Sequence, residues 1–258
     1  MRLKGQVAII TGGGHGLGRA IGLKFASEGA AIAVTGPTEK TVQAATQEIR
    51  DSGGRALACV TDVSDEASVA AMVALSLKGF GRIDILVNNA GIIGPTSPVI
   101  RVDRADWDHT LAVNLTGAFL CAKHVLPIMI EQRGGRIINI ASVAGLHAYA
   151  LRSPYSVSKW GMIGLSKTLA EEAGPYNITV NTIAPGPVSG YRMTEVIRRR
   201  AAEMGRPFEE VEQQFIGPAA LKRMVEEADI AATALFLASN DARNITGETL
   251  TVSAGYRL

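Results

Sequence analysis

The chain has 258 residues, room for one large α/β domain or two small ones, and its 47% hydrophobic content excludes a disordered polymer. A formal net charge of +2 gives no electrostatic ground for a nucleic-acid or acidic-membrane partner. The 28 glycines form no collagen-like period, and the two cysteines, Cys59 and Cys121, each lie in an apolar run and read as buried free thiols.

Met1-Arg2-Leu3-Lys4-Gly5 leads directly into a strand-like run. No secretory apolar region precedes a cleavage site and no apolar stretch reaches membrane-spanning length, so the expectation is a cytoplasmic protein with no membrane attachment. Short apolar runs at Val7–Ile10, Ala31–Thr35, Ala56–Val60, Ile83–Val87, Arg136–Ala141, Ile178–Ile183 and Thr249–Val252 are rich in Ile and Val. Apolar on both faces, they suit a parallel sheet covered on both sides. Between them the pattern predicts helices near 16–28, 39–52, 65–79, 104–131, 154–173, 191–214 and 226–239. Alternation of strand and helix nearly to the end predicts one domain over 1–258, a doubly wound α/β fold with helices on both faces of the sheet. Ligands in such folds bind beyond the carboxyl ends of the strands.

The first of those ends carries Thr11-Gly12-Gly13-Gly14-His15-Gly16-Leu17-Gly18, followed by a helix. Backbone N–H groups and the positive end of the helix make an anion site there, and absent side chains let a pyrophosphate approach. Gly12, His15, Gly16, Leu17 and Gly18 are the candidate contacts. The alternative is a tight strand–helix connection with no ligand. After the second strand comes Gly36-Pro37-Thr38. An acid here would hold ribose hydroxyls and favour NAD(H), and a basic residue would favour a 2′-phosphate. Neither is present. Thr38 and His15 can serve a phosphate, and the missing acid tips the expectation to NADP(H) over NAD(H). Asp62-Val63, after the third strand, is a candidate adenine contact, although Asp before a helix is also an ordinary N-terminal signal. Asn88-Asn89-Ala90-Gly91, after the fourth, offers two amides that can join strand ends and small residues that leave room for a cofactor; a plain turn is the alternative.

The fifth strand ends at Ser142. Ser153-Pro154 reads as a helix start, with Ser as N-cap and Pro at the first helical position. Tyr155 and Lys159 then lie one turn apart on one face. Taken alone, a Tyr with Lys at i+4 is common on helices, Ser142 can be a turn cap, and Asn114 in an apolar helix simply needs a partner or a water.

Together, Thr11-Gly12-x-x-x-Gly16-x-Gly18, Asn88-Asn89-Ala90-Gly91, Asn114, Ser142, Tyr155-x-x-x-Lys159 and Pro185-Gly186 resemble the short-chain dehydrogenase/reductase family, in its order and over nearly the whole chain. The resemblance implies a Rossmann-type, mainly parallel seven-stranded sheet and NAD(H) or NADP(H) as cofactor. It implies reversible alcohol/ketone chemistry on a small molecule, with no metal, and a homotetramer or homodimer. It also implies a catalytic tetrad of Asn114, Ser142, Tyr155 and Lys159, in which Asn114 holds a water that relays protons towards Lys159. Tyr155 and Lys159 would also touch the cofactor, as would Asn89, Ala90, Gly91, Pro185, Gly186 and the Val188 backbone. Where the family often has Thr, four residues after Gly186, this chain has Gly190, so Ser189 or Thr194 would have to substitute.

The chemistry has a physical basis. An alkoxide formed by ketone reduction needs a proton, and tyrosine, with an ordinary pKa of about 10, exchanges one poorly at neutral pH. Bringing it to about 7 takes about 4 kcal/mol of preferential anion stabilisation. A nearby ammonium and the charge of an oxidised nicotinamide can supply that, while Ser142 polarises the substrate oxygen.

Residues 187–221 read as a substrate loop or lid, with helices at Tyr191–Met204 and Pro207–Phe215. Its arginines, Arg192, Arg198, Arg199, Arg200 and Arg206, are read as a solvated face paired with Glu195, Glu203, Glu209 and Glu210. The alternative gives Arg192 or Arg152 an anionic group on the substrate. His147, Tyr149 and Arg152 are candidate pocket residues suited to a sugar, polyol or hydroxy acid, with a 3-oxoacyl thioester as the other choice. A dinucleotide sensor without catalysis is the rival function, and the intact tetrad argues against it. An epimerase or dehydratase on the same core would need an extended substrate domain. The apolar segment Ala228–Leu258 is the expected subunit interface.

Overall fold

The computed structural model describes residues 1–257, so the terminal Leu258 of the expected interface segment lies outside it. Seven parallel strands form one sheet: β1 Val7–Ile10, β2 Ala31–Gly36, β3 Arg55–Val60, β4 Ile85–Asn88, β5 Gly135–Ile140, β6 Ile178–Pro185 and β7 Thr249–Val252, in the spatial order β3-β2-β1-β4-β5-β6-β7. The helices are α1 Gly16–Ser27, α2 Glu39–Asp51, α3 Glu66–Phe80, α4 Arg104–Leu111, α5 Gly117–Gln132, α6 Ser153–Ala173, α7 Tyr191–Met204, α8 Phe208–Ile216 and α9 Glu227–Ala238.

The sheet is apolar on both sides because each side meets its own helical layer. Ile10, Ile32, Val87 and Ile138 join a core with Ile21, Phe25 and Ile49 of α1 and α2 and Leu235 of α9. Their strand neighbours Ile9, Ala33, Leu86 and Ile137 point the other way, into a core with Val69 of α3, Val125 of α5 and Leu169 of α6. The strand order reverses between β1 and β4, which opens a cleft beyond their carboxyl ends.

Several boundaries differ from the sequence reading. The fourth strand begins at Ile85 rather than Ile83, because the Gln132 side-chain amide pairs with both the N–H and the carbonyl of Ile83. The predicted helix 104–131 contains a π-helical turn at Ala112–Thr116. Its helical stretch Arg104–Gln132 is long and apolar enough to cross a membrane by length and composition alone. That corrects the expectation that no stretch reaches such length; Val125 and Met129 in it face the sheet core. The run 191–214 is divided by Gly205, at φ +62°, and Pro207. Ser153 is not the N-cap of α6: Arg152 holds that position, and the Ser153 hydroxyl is buried without a partner. Asp65, not Asp62, caps α3, accepting from the Ala67 N–H.

Candidate functional site

The turn after β1 has backbone in place of side chains. Gly12 and Gly16 have φ of +64° and +53°, which favour glycine. A Cβ on Gly18 would lie 2.3 Å from the Gly12 carbonyl oxygen and 2.5 Å from the Asn89 amide nitrogen. His15 is exposed at the N-cap position of α1 and makes no capping bond, which leaves the helix N-terminus open to an anion. A pyrophosphate therefore fits the residues present. Leu17 is partly buried beside them.

Thr11 and Asn89 join this turn to β4 across the switch point. The Thr11 hydroxyl accepts from the N–H groups of Asn89 and Ala90, at 2.9 and 3.0 Å, and the Asn89 side chain donates to the carbonyls of Thr11 and Gly12. Asn88 points into the sheet instead, donating to Asn139 at 2.8 Å; Asn139 donates to Ser166, which also accepts from Thr182. The paired amides of the sequence thus divide their work. Asn88 ties strand ends together, as the residue types suggested, and Asn89 braces the glycine turn.

At the end of β2, Thr38 is exposed and no carboxylate occupies 36–38, while Glu39 is bonded to Gln43. Asp62 is exposed and accepts from the N–H and hydroxyl of Ser64, which hold its pKa below the ordinary carboxylate value. Val63 is buried against Gly117, where a Cβ would lie 2.8 Å from its side chain.

Beyond β6, the Gly186 N–H donates to Val252, and the main chain on either side of Val188 bonds Val225. In a parallel bridge of this kind the N–H and carbonyl of Val188 itself face away from Val225. They have no main-chain partner among the described residues, as a carboxamide site requires. Gly186 has no room for a side chain, since a Cβ would lie 2.7 Å from Ser253 Cα. The hydroxyl of Ser189 donates to Glu226 and that of Thr194 to the Gly190 carbonyl, so neither proton is free.

The tetrad residues come from three segments, Tyr155 and Lys159 sharing α6. Asn114 is wholly buried in the π-helical turn, a frequent device at functional positions. Its amide accepts from the Ile92 N–H at 2.7 Å and donates to the Ile92 carbonyl and to Ser158. Ser142 caps the short turn Val143–Gly145. Tyr155 is partly buried, and Lys159, 3% exposed, donates to the Ile140 carbonyl at 2.7 Å. Gly91 borders both ends of this group: a Cβ there would lie 3.2 Å from Asn114 Oδ1 and 3.7 Å from Lys159 Nζ. Among the described residues no cluster of His, Cys, Asp and Glu could hold a metal.

Burial by itself pushes the Tyr155 phenol up. The Lys159 ammonium, the guanidiniums of Arg192 and Arg152 and the Ser142 hydroxyl outweigh it, and the pKa lies below that of an ordinary tyrosine. Burial lowers Lys159, with Tyr155 acting in the opposite sense. Tyr149, stacked edge-on against Phe215, is pushed by burial up to about 12 and stays a neutral hydroxyl.

The loop arginines divide into two groups. Arg198 and Arg199 pair with Glu195, and Arg206 pairs with Glu210. Glu203 pairs with Arg101 from outside the segment. Arg152, Arg192 and Arg200 have no carboxylate within ion-pair distance among the described residues; their bonds go to the carbonyls of Ile93, Gly91 and Ala150. The bracing by Thr11, Ser158 and Ile92 has no local signature in the sequence beyond the position of Ser158 on the helical face beside Tyr155.

A family profile described as enoyl-(acyl carrier protein) reductase matches residues 12–257. The (2S)-[(R)-hydroxy(phenyl)methyl]succinyl-CoA dehydrogenase subunit BbsD of Thauera aromatica is 39% identical over 100% of this chain and 99% of its own. Levodione reductase of Leifsonia aquatica is 36% identical over 98% of this chain and 95% of its own. The crystal structure of an NAD⁺-bound xylitol dehydrogenase superposes with a TM-score of 0.97 at 34% identity, covering 99% of this chain and 100% of the other.

Proposed function

The chain belongs to the short-chain dehydrogenase/reductase family and is an NAD(P)-dependent oxidoreductase acting on CH–OH groups, and from that premise we propose that Tyr155 is its acid/base group. The observation that carries the proposal is that the Lys159 ammonium and the Arg152 guanidinium stand 5.7 and 4.8 Å from the centroid of the Tyr155 ring; with Arg192 and Ser142 they favour its anion against burial. When bound, the nicotinamide supplies or accepts the hydride at the reacting carbon.

In ketone reduction, the C=O electron pair moves onto oxygen and the Tyr155 hydroxyl donates its proton there; in oxidation the phenolate takes the proton back. Ser142 hydrogen-bonds the same oxygen. Lys159 holds the phenolate by charge, and its tether to Ile140 fixes where that charge sits. Asn114 positions Lys159's surroundings through Ile92 and Ser158. With its amide protons used on those partners, a relay water would be held by its remaining acceptor sites.

Gly12, His15, Gly16, Leu17 and Gly18 cradle the pyrophosphate in this reading. Asp62 and Val63 border the adenine, Asn89, Ala90 and Gly91 the ribose, and Pro185, Gly186 and Val188 the carboxamide. The acid-free stretch after β2 supports NADP(H) in preference to NAD(H), with Thr38 and His15 at the 2′-phosphate. Residues 187–221 act as lid over a single domain. The substrate is a small polar hydroxy or oxo compound, and a 3-oxoacyl thioester is the alternative suggested by similarity to BbsD.

A cytoplasmic location is in keeping with the two buried, unbridged cysteines. Edge strand β7 and α9 leave Phe236, Leu250 and Val252 partly exposed side by side, which supports a homodimer or homotetramer. A carbonyl and alcohol screen run with both NADH and NADPH, beside a cofactor-fluorescence titration, tests the whole reading. Cofactor binding with no turnover across a broad panel would favour the sensor instead.

A further inference from the structure

We propose that the substrate carries a carboxylate a few bonds from its reacting carbon, and that Arg152 and Arg192 bind it beside Tyr155. The inference deepens the oxidoreductase reading and rests on it. Arg152 is 3% exposed, and its guanidinium lies 4.8 Å from the centroid of the Tyr155 ring. Among the described residues one hydrogen bond, Nη2 to the Ile93 carbonyl at 2.6 Å, holds it, and Nε is buried with no partner. No hydrogen bond joins it to the phenolic oxygen among the described residues. A guanidinium remains ionised even when buried, and a buried ion without a counter-ion destabilises the fold. The fold gives that charge the faces of Tyr149 and Tyr155 but, among the described residues, no carboxylate beside the reacting centre.

Arg192 adds a second cation from the other wall. It sits in the first turn of α7, where a positive charge opposes the helix dipole and no acid accompanies it. Its Nη1 reaches the Gly91 carbonyl at 2.9 Å, beside Lys159 and Asn114. The neighbouring arginines of α7 show what a solvated face looks like, since Arg198 and Arg199 share Glu195. The wall around Arg152 has further unmet polar capacity. Ser153 Oγ and Thr96 Oγ1 are buried without partners among the described residues, and their segments are joined by a bond from Ser97 N–H to the Leu151 carbonyl.

A carboxylate satisfies these cations in a way a neutral ketone cannot, because it accepts charged hydrogen bonds from both guanidiniums. With Arg152 4.8 Å from the Tyr155 ring centroid and Arg192 bonded to Gly91, which borders Lys159, the anion must be short-tethered, as in a 2- or 3-oxo acid and the corresponding hydroxy acid. A 3-oxoacyl thioester places no charge there.

The test compares acetoacetate with its methyl ester and its neutral N-acetylcysteamine thioester, and 2-oxobutanoate with its methyl ester, using both cofactors. The expected result is a kcat/KM for at least one acid that exceeds its neutral partner by about tenfold or more. Arg192→Gln, an exposed position that should fold normally, should cut that preference about tenfold. Arg152→Lys keeps the charge but loses the paired geometry, and should cut it as well. Turnover of esters or thioester at rates equal to or above those of the acids overturns the carboxylate site and leaves hydride transfer standing. Absence of turnover for every compound counts against the oxidoreductase reading instead. Calorimetric titration of acetoacetate and methyl acetoacetate into the Tyr155→Phe protein with NADPH or NADH then judges the carboxylate site alone. Acid binding no tighter than ester binding rejects it.

Discussion

The Lys159 ammonium stands 5.7 Å from the centroid of the Tyr155 ring, one helical turn along α6, and its bond to the Ile140 carbonyl prevents it from swinging away. Removing that cation should therefore act on the phenol as well as on the cofactor. In Lys159→Ala, the Tyr155 pKa should rise, because a charge favouring its anion is gone. Oxidation of an alcohol needs the phenolate, so the rising limb of its pH–kcat/KM profile should move to higher pH; reduction needs the phenol and should persist further into alkali. An unmoved limb would contradict the electrostatic role. Cofactor affinity should fall too, and a Kd equal to wild type would remove the second role.

Tyr155→Phe removes the proton but little of the surface. Turnover should drop by about 10²–10⁴-fold, the usual worth of a positioned acid/base group. Fluorescence titration should show cofactor binding nearly intact. Wild-type-like rates would refute the assignment.

Gly18→Ala tests the cradle. The new methyl would be forced against the Gly12 carbonyl and the Asn89 amide, neither of which can yield without breaking the join between the first and fourth strand ends. Cofactor binding should weaken by about tenfold or more, a cost of about 1.4 kcal/mol. Unchanged affinity in a folded variant would show that this turn does not meet the dinucleotide.

Asn139→Ala breaks the buried polar row from Asn88 to Thr182. It leaves the Asn88 amide with only a 3.5 Å contact to the Ala118 carbonyl and takes a donor from Ser166. Stranding a buried polar group costs about 1–3 kcal/mol. Urea unfolding should report a loss of that size, and a loss below it would mean that water replaces the amide.

The partly exposed apolar strip of Phe236, Leu250 and Val252 should be covered in solution. Light scattering at micromolar concentration should give a dimer or tetramer, and Leu250→Lys should shift it towards smaller species. A wild-type monomer would count against the interface.

Local chemistry was enough to make much of this protein legible from its residues alone. Strands such as Val7–Ile10 are apolar on both faces, so their burial in a parallel sheet followed from composition. Gly12, Gly16 and Gly18 announced a turn without side chains, and Tyr155 with Lys159 had to share a helical face. Tertiary structure decided what depends on partners distant in sequence. Ile83 leaves its strand because Gln132 takes its backbone bonds, and Asn88 and Asn89 part because one finds Asn139 and the other Thr11. The arginines show the reason most clearly. Glu195, three and four residues away, neutralises Arg198 and Arg199 within one helix. For Arg152 and Arg192, the absence of any such partner among the described residues is a property of the assembled walls around Tyr155, which no local spacing records.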